Sequence, residues 1–373
     1  MAARIAFYAP LKAPTHPTPS GDRQMARLLV RALQSAGAEV DLASDFRSYD
    51  GRGDRQRQQA LQAEGRDLAA ALIDGWRDLP EGRRPTAWFT YHLYHKAPDW
   101  LGPAVSAALA IPYLVAEPSF APKRAGGPWD LGHRAAAEAI AAADWLFCLS
   151  RLDMACVRPL VPAGHRLRYL PPFLDGAAFA GAPRERAVVA GRFGLDPQRH
   201  WLLAVAMMRP GDKLASYREL AAALRGLAGD DWQLLVAGDG PARAEVEAAL
   251  SPIARNTVYL GALAAADLPA VYGAADLYVW PGVGEAYGMA YLEAQAAGLP
   301  VVAGDERGVP DVVQGGETGL LTPPGNAEAF AAAVRRLLDD DGLRRRFAAA
   351  ARRFVGKQRA VTSAAERLRE ALP

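Results

Sequence analysis

Gly284-Glu285-Ala286-Tyr287-Gly288-Met289-Ala290-Tyr291-Leu292-Glu293-Ala294 is the stretch that decides the fold. The strand-like run Asp276 to Trp280 leads into it, and Gly298 and Pro300 close it. The pattern reads as a strand, a glycine-bearing loop, and a helix that begins near Gly288 and stops at Gly298. The first amides of a helix have no partner inside it, so such a start can donate to phosphate oxygens. Gly288 lets an anion approach the backbone closely. Glu285 and Glu293 stand before and within the helix, spaced to bracket a ligand lying across its start. Taken alone, the same letters also fit a plain strand–loop–helix unit with two solvated glutamates.

The alternation of short apolar runs with longer amphipathic stretches extends along the chain in both directions, which is the pattern of a parallel α/β protein. Strands are expected at 4–9, 39–42, 87–92, 112–116, 145–149 and 167–170. A second series is expected at 200–207, 232–237, 257–260, 276–280, 299–303 and 319–321. A helix from about Asp22 to Ala36 places Met25, Leu28, Leu29, Ala32 and Leu33 on one face and Arg23, Arg27 and Arg31 on the other. Residues 46–66 read as a polar loop leading into a helix near 57–77. The stretch from Pro171 to Arg192, with Pro172, Gly176, Gly181 and Pro183, reads as an interdomain linker. The expected division is 1–178 and 179–354, with a basic amphipathic helix in the final segment 355–373. Ligands of open α/β sheets bind beyond the carboxyl ends of the strands, so two such domains facing each other would form a deep cleft.

Composition narrows the classes. The 373 residues suit two to three domains. The 43 Lys+Arg against 41 Asp+Glu leave a net charge of +2, which argues against a general nucleic-acid binder. With 51% hydrophobic and 23% charged residues the chain reads as globular. No apolar run is long enough to span a bilayer, and the first strand begins too early for a secretory signal. The cysteines are Cys148 and Cys156, which excludes a disulfide scaffold and suits a reducing, cytoplasmic setting.

Two further segments end strands in the same half. Met207-Met208-Arg209-Pro210-Gly211-Asp212-Lys213 carries two cations, Arg209 a fork for phosphate and Lys213 a point charge. A surface turn with ordinary charges is the plain alternative. Val236-Ala237-Gly238-Asp239-Gly240-Pro241-Ala242-Arg243 is not a dinucleotide fingerprint, because Arg243 stands where its third glycine belongs. It reads as a tight turn with Pro241 opening a helix.

In order, these segments resemble one family: the nucleotide-sugar glycosyltransferases of GT-B fold, and within them the large retaining group called family four. Arg209 and Lys213 match its diphosphate-binding pair, and Gly238-Asp239-Gly240-Pro241 is similar to its Gly-x-Gly-Pro turn. Val258 to Gly261 looks like its strand before the nucleobase loop. Glu285 and Glu293 fit its paired glutamates, and Gly298 to Val302 and Gly319 to Leu321 complete the series. The likeness is specific from about Trp201 to Pro323 and looser through Ser150 and Tyr169 to Asp175. It implies two Rossmann-like doubly wound domains facing a cleft, with the C-terminal helix crossing back to the first domain. It also implies that Arg209 and Lys213 neutralise the donor phosphates, Glu293 holds the ribose, Glu285 faces the transferred sugar, and Gly288, Met289 and Ala290 offer backbone donors. Fixed cations and a helix start stabilise a departing nucleoside diphosphate, so no metal or other cofactor is required. Asp339 to Asp341 is read as solvated capping charge.

The first half is less standard. Pro17-Thr18-Pro19-Ser20-Gly21-Asp22-Arg23 stands where the family has a glycine-rich turn near the donor. Gly21, Asp22 and Arg23 are candidate contacts, while Ser20 or Asp22 also suits a helix cap. Glu117 stands where the family commonly has a histidine near the acceptor. It reads either as a group that orients or deprotonates the acceptor hydroxyl or as a salt-bridged structural carboxylate. His92, in Tyr91-His92-Leu93-Tyr94-His95-Lys96, is a candidate for acceptor hydrogen bonding or for packing. Lys12, Lys96, Lys123 and Lys213 fall in strand-ending loops, which suits an anionic ligand.

The resulting expectation is a retaining glycosyltransferase acting on a nucleoside-diphosphate sugar and a sugar, lipid-linked or small-molecule acceptor. An epimerase or phosphorylase on the same fold is the near alternative. A non-catalytic sugar-nucleotide binder is the distant one. The arginine face of helix 22–36 and the loop 46–66 suit either solvent or anionic lipid head groups at the inner face of a membrane.

Overall fold

The structure is a computed structural model that describes residues 2–18, 20–181, 185–227, 229 and 231–373. Pro19 and Pro183, read above as parts of the first loop and the linker, lie outside the described residues. The chain divides into two compact units, Met1–Pro171 with Val361–Pro373, and Pro172–Ala360. It passes between them at 171–172 and 360–361, several residues from 178–179 and 354–355. The amide of Leu174 donates to the Arg359 carbonyl at 2.9 Å, which ties the entering and leaving segments together inside the second unit.

The first unit is built from β1 (Arg4–Tyr8), α1 (Gly21–Ser35), β2 (Glu39–Ser44), α2 (Arg55–Arg77), β3 (Ala87–Leu93) and α3 (Gly102–Leu109). It continues through β4 (Tyr113–Pro118), α4 (Asp130–Ala142), β5 (Trp145–Cys148), α5 (Arg151–Val157) and β6 (Arg166–Tyr169). All strand pairs are parallel, in the order β2-β1-β3-β4-β5-β6. The order reverses between β1 and β3, so that pair is the topological switch point. Met25, Leu28, Leu29, Ala32 and Leu33 of α1 are buried as their spacing predicts. Each large apolar side chain contributes roughly 1.5–3 kcal/mol by leaving water.

The second unit holds α6 (Ala177–Ala180), α7 (Arg186–Phe193), β7 (His200–Val205), α8 (Asp212–Arg225), β8 (Trp232–Ala237), α9 (Arg243–Leu250) and β9 (Thr257–Gly261). Then come α10 (Leu268–Ala274), β10 (Leu277–Trp280), α11 (Met289–Ala297), β11 (Val301–Gly304), β12 (Gly319–Thr322), α12 (Ala327–Asp339) and α13 (Asp341–Gln358). Its sheet is parallel, in the order β12-β11-β10-β7-β8-β9, with the switch point between β7 and β10.

Three local expectations change. The loop expected through 66 ends at Asp54, whose carboxylate accepts from the amides of Gln56 and Arg57 and starts α2 at Arg55. Pro241 does not open a helix. The Arg243 amide closes a turn onto the Gly240 carbonyl at 3.1 Å, and α9 begins only there. The last segment is not one helix from 354. α13 ends at Gln358, and after Arg359 and Ala360 a separate helix, α14 (Val361–Arg369), packs on α1 in the first unit. Asp340 caps α13 through the Leu343 amide, and Asp341 pairs with Arg344 and Arg345. Among the described residues no helix is long and apolar enough to cross a membrane.

Candidate functional site

The second unit gathers its candidate residues at the β7/β10 switch point. Its base is a close pairing of two strand-ending loops. The Met208 amide donates to the Asp239 carbonyl at 3.0 Å, and the Ala242 amide to the Met208 carbonyl at 3.0 Å. Gly238 permits this approach, because a Cβ there would lie 1.9 Å from the Ala206 carbonyl oxygen. The loop after β7 thus stays short and delivers Arg209, which is exposed, and Lys213, in the first turn of α8. Ser216 ties this turn to the loop after β10: its hydroxyl donates to the Asp212 carbonyl at 2.8 Å and accepts from the Val283 amide at 2.9 Å. Lys213 Nζ consequently forms an ion pair with Glu285. It also lies 5.6 Å from the centre of the Trp280 ring.

α11 starts beside this pair. Gly288 precedes it with φ 79° and, as a glycine, supplies no side-chain cap. A Cβ at Gly288 would sit 2.5 Å from the Tyr291 ring, so the close approach and the positive φ both require glycine. Met289 and Ala290 form the first turn. Glu293 lies one turn further, buried, with its Oε2 accepting from the Tyr272 hydroxyl at 3.0 Å. Arg209 and Lys213 from one stretch, and Glu285, the α11 start and Glu293 from another about 70 residues on, are therefore carried by elements that meet at one switch point, with Gly238 in the adjoining loop.

The first unit has its own cluster, also at its switch point. His92 ends β3, Glu117 ends β4, and Asp22 lies in the first turn of α1. His92 Nδ1 donates to Asp22 Oδ1 at 3.1 Å and lies 3.9 Å from Glu117 Oε1. His92 and Glu117 both adopt left-handed backbone conformations, φ 60° and 55°. For non-glycine residues this costs about 1–3 kcal/mol each, and such strain collects at functional sites. Burial alone would lower the His92 pKa, but Glu117 and Asp22 overcome it and push it up to about 9. Burial pushes the Glu117 carboxyl up and His92 only partly offsets this, leaving it at about 7. Burial would raise the Asp22 carboxyl, but the hydrogen bond and charge of His92, with the Lys12 charge and a backbone hydrogen bond, together hold it below its usual value. Asp153, whose carboxylate accepts from the Ser150 hydroxyl at 2.6 Å, adds negative charge near both groups.

The neighbouring candidates separate. Ser20 caps α1 through the Arg23 amide at 3.2 Å, and Gly21 is its first residue. The Arg23 guanidinium turns back to the His16 and Pro17 carbonyls at 2.8 and 3.0 Å, away from the cluster. Arg27 likewise bonds the Pro14 carbonyl, so this arginine face braces the loop after β1. His95 is kept neutral, pushed down to about 4 by burial and by Arg124 and Lys96.

Sequence reading named Asp22, His92, Glu117, Arg209, Lys213, Glu285 and Glu293 but missed Asp153, Tyr272 and the coupling between His92 and Glu117. Nothing local signals that His92 and Glu117 meet, since β3 and β4 must first pair. Tyr272 was missed because it reads as an ordinary apolar position of a short helix.

Over its full length the chain has the fold of Anabaena Alr3699/HepE, solved in complex with UDP, with a TM-score of 0.75 and 15% identity over 100% of this chain and 99% of that one. Sucrose-phosphate synthase from Thermosynechococcus elongatus gives a TM-score of 0.74 and 20% identity over 99% and 98%. The class is therefore a two-sheet α/β protein of the GT-B fold. The family described as Glycosyl transferases group 1 matches residues 199–340, a stretch that lies within the second unit. Alpha-D-kanosaminyltransferase of Streptomyces kanamyceticus is 32% identical over 206 residues, 55% of this chain and 52% of the relative. The chain spans about half the length of the curated relatives it matches.

Proposed function

We propose that this chain is a retaining glycosyltransferase that moves a sugar from a nucleoside-diphosphate sugar to an acceptor hydroxyl. The observation that carries the reading is the β7/β10 switch point, where Lys213 pairs with Glu285 beside the start of α11, the helix that carries Glu293. In the reading, Arg209 and Lys213 take the two phosphates, with the first amides of α11 as further donors. The diphosphate replaces Glu285 as the partner of Lys213 and so releases the Glu285 carboxylate toward the sugar. Glu293 accepts from the ribose hydroxyls. As the sugar C1–O bond to phosphate breaks, negative charge grows where these fixed donors already point, and no metal is needed.

On the acceptor side, Glu117 orients the acceptor hydroxyl, with His92 and Asp22 fixing its charge. Retention follows from front-face attack: the acceptor oxygen bonds to C1 as the phosphate leaves, and the acceptor proton passes to the leaving phosphate oxygen. The acceptor class is a sugar, a lipid-linked sugar or a small molecule, and the setting is the cytoplasm, with peripheral contact to the membrane for a lipid-linked acceptor. The fold relative solved with UDP and the curated kanosaminyltransferase support a nucleotide-sugar donor.

A thermal-shift screen of UDP-, GDP- and ADP-sugars identifies the donor. Slow sugar release from that donor, abolished by Arg209→Ala or Lys213→Ala, is the expected result. Conversion of the donor without acceptor would instead identify an epimerase. A β-product from an α-donor would overturn retention.

A further inference from the structure

The carboxylate of Glu293 is held from behind. Tyr272 donates to its Oε2 at 3.0 Å, and Tyr272 has no exposed surface. The Tyr272 ring is fixed on two sides, with Phe179 edge-on at 5.5 Å and Tyr278 stacked at 6.0 Å between ring centres. Tyr278 is itself anchored. Its hydroxyl donates to the Val205 carbonyl at 3.2 Å, and its ring meets Tyr291 edge-on at 5.6 Å. Tyr291 in turn donates to the Trp280 carbonyl at 3.0 Å. A row of buried aromatics thus lies under the switch point, and its hydroxyls hold the strand ends and the Glu293 carboxylate. Burial, together with the nearby Glu293 charge, keeps the Tyr272 phenol protonated, so it is a permanent donor.

A glutamate side chain has three rotatable bonds, and ordering it consumes up to about 2 kcal/mol of conformational entropy. Gripping two adjacent hydroxyls requires both carboxylate oxygens to face the same way when the ligand arrives. A donor fixed behind one oxygen meets that requirement before binding.

We infer that Tyr272 is a positioning residue: it holds the Glu293 carboxylate in the orientation that accepts the ribose hydroxyls, and so sets the preference for a ribonucleotide over its 2′-deoxy counterpart. The inference rests on the assignment of Glu293 to the ribose. Tyr272 acts through Glu293 and does not itself touch the donor.

Calorimetric titration with UDP, GDP and ADP, and with the 2′-deoxy form of the tightest of them, tests it on the intact chain. Wild type is expected to prefer the ribose form about tenfold or more, as for a hydrogen bond to a charged group. Tyr272→Phe keeps the ring and is expected to reduce that preference to about twofold to threefold while binding the deoxy form as wild type does. Glu293→Gln is expected to reduce the preference similarly. The double variant is expected to lose no more than the larger single loss, because both changes break one unit. If Tyr272→Phe retains the full preference while Glu293→Gln loses it, the inference on Tyr272 is wrong and the ribose assignment stands. If wild type shows no preference, or binds none of the three nucleotides, the ribose assignment fails and takes the inference with it. Should Tyr272→Phe be poorly folded, Phe179→Leu in the intact Tyr272 background supplies the second measurement. It loosens the ring without removing the donor and is expected to lower the preference; an unchanged preference there would also overturn the inference.

Discussion

The strand tips of the second unit and those of the first carry their charge in opposite ways. At β7/β10 the cations are exposed or half-exposed, glycines clear the space, and a helix starts with a glycine at its N-cap. At β1/β3 Glu117 is buried and His92 and Asp22 are partly buried, none is glycine, and two of the three sit in left-handed backbone conformations. The first arrangement suits capture of a multiply charged anion, which needs accessible donors, room to approach, and a partner such as Glu285 that the anion can displace from Lys213. The second suits control of a proton, which needs groups whose affinities are shifted by burial and by one another. Both lie at switch points because only there do neighbouring strand ends diverge and leave a crevice.

The comparison breaks most visibly at the glycines. Gly238→Ala drives a Cβ into the Ala206 carbonyl, and we expect a loss of about 3 kcal/mol or more, read as a lower urea midpoint of the second unit. An unchanged midpoint would show that the paired loops are not needed to build the phosphate side. Next in size, Lys213→Ala is expected to lower kcat/KM by about 10²–10³-fold with a near-native melting temperature. Activity measured in excess chelator is expected to match the untreated enzyme, and recovery only on adding a divalent ion would refute charge stabilisation by the chain alone.

The first unit is probed by pH. If ionised Glu117 orients the acceptor, kcat/KM rises as pH passes about 7 and falls again as His92 loses its proton near 9. Glu117→Gln is expected to cost about 10–10²-fold and to remove the acid limb. A Glu117→Gln enzyme with wild-type turnover would take this residue out of the mechanism. Stability carries the same signs. The raised His92 pKa contributes stability that is complete below 6.5 and lost as pH rises through about 9. For Glu117 the folded state favours the neutral carboxyl, so stability falls as pH climbs from 4.5 to about 7. Urea midpoints of wild type and His92→Ala across this range read both. The smallest effect is expected at Arg23→Ala, about 1 kcal/mol of stability from two loop carbonyl bonds, with kcat/KM within about threefold.

The loop after β10 and the start of α11 were legible residue by residue because they form one short contiguous motif. A strand end, a glycine and a helix start occupy about ten residues from Gly284 to Glu293, and local periodicity suffices to read them. The same holds for all twelve strands, each recovered within about two residues, the usual scatter of element ends. The misreadings arose where polar sequence hides a cap, as at Asp54, or where one amphipathic pattern covers a break, as at Arg359 and Ala360.

The amino-acid order by itself determined two parallel α/β sheets and placed Arg209, Lys213, Glu285 and Glu293 in the loops and helix starts after β7 and β10, because those follow from spacing along the chain. Only the tertiary structure decided that Asp22, His92 and Glu117 share one charge, that Lys213 rests on Glu285, and that Tyr272 stands behind Glu293. Each of those relations joins segments at least 21 residues apart, and its energy depends on burial and on which strands become neighbours, which no local pattern encodes.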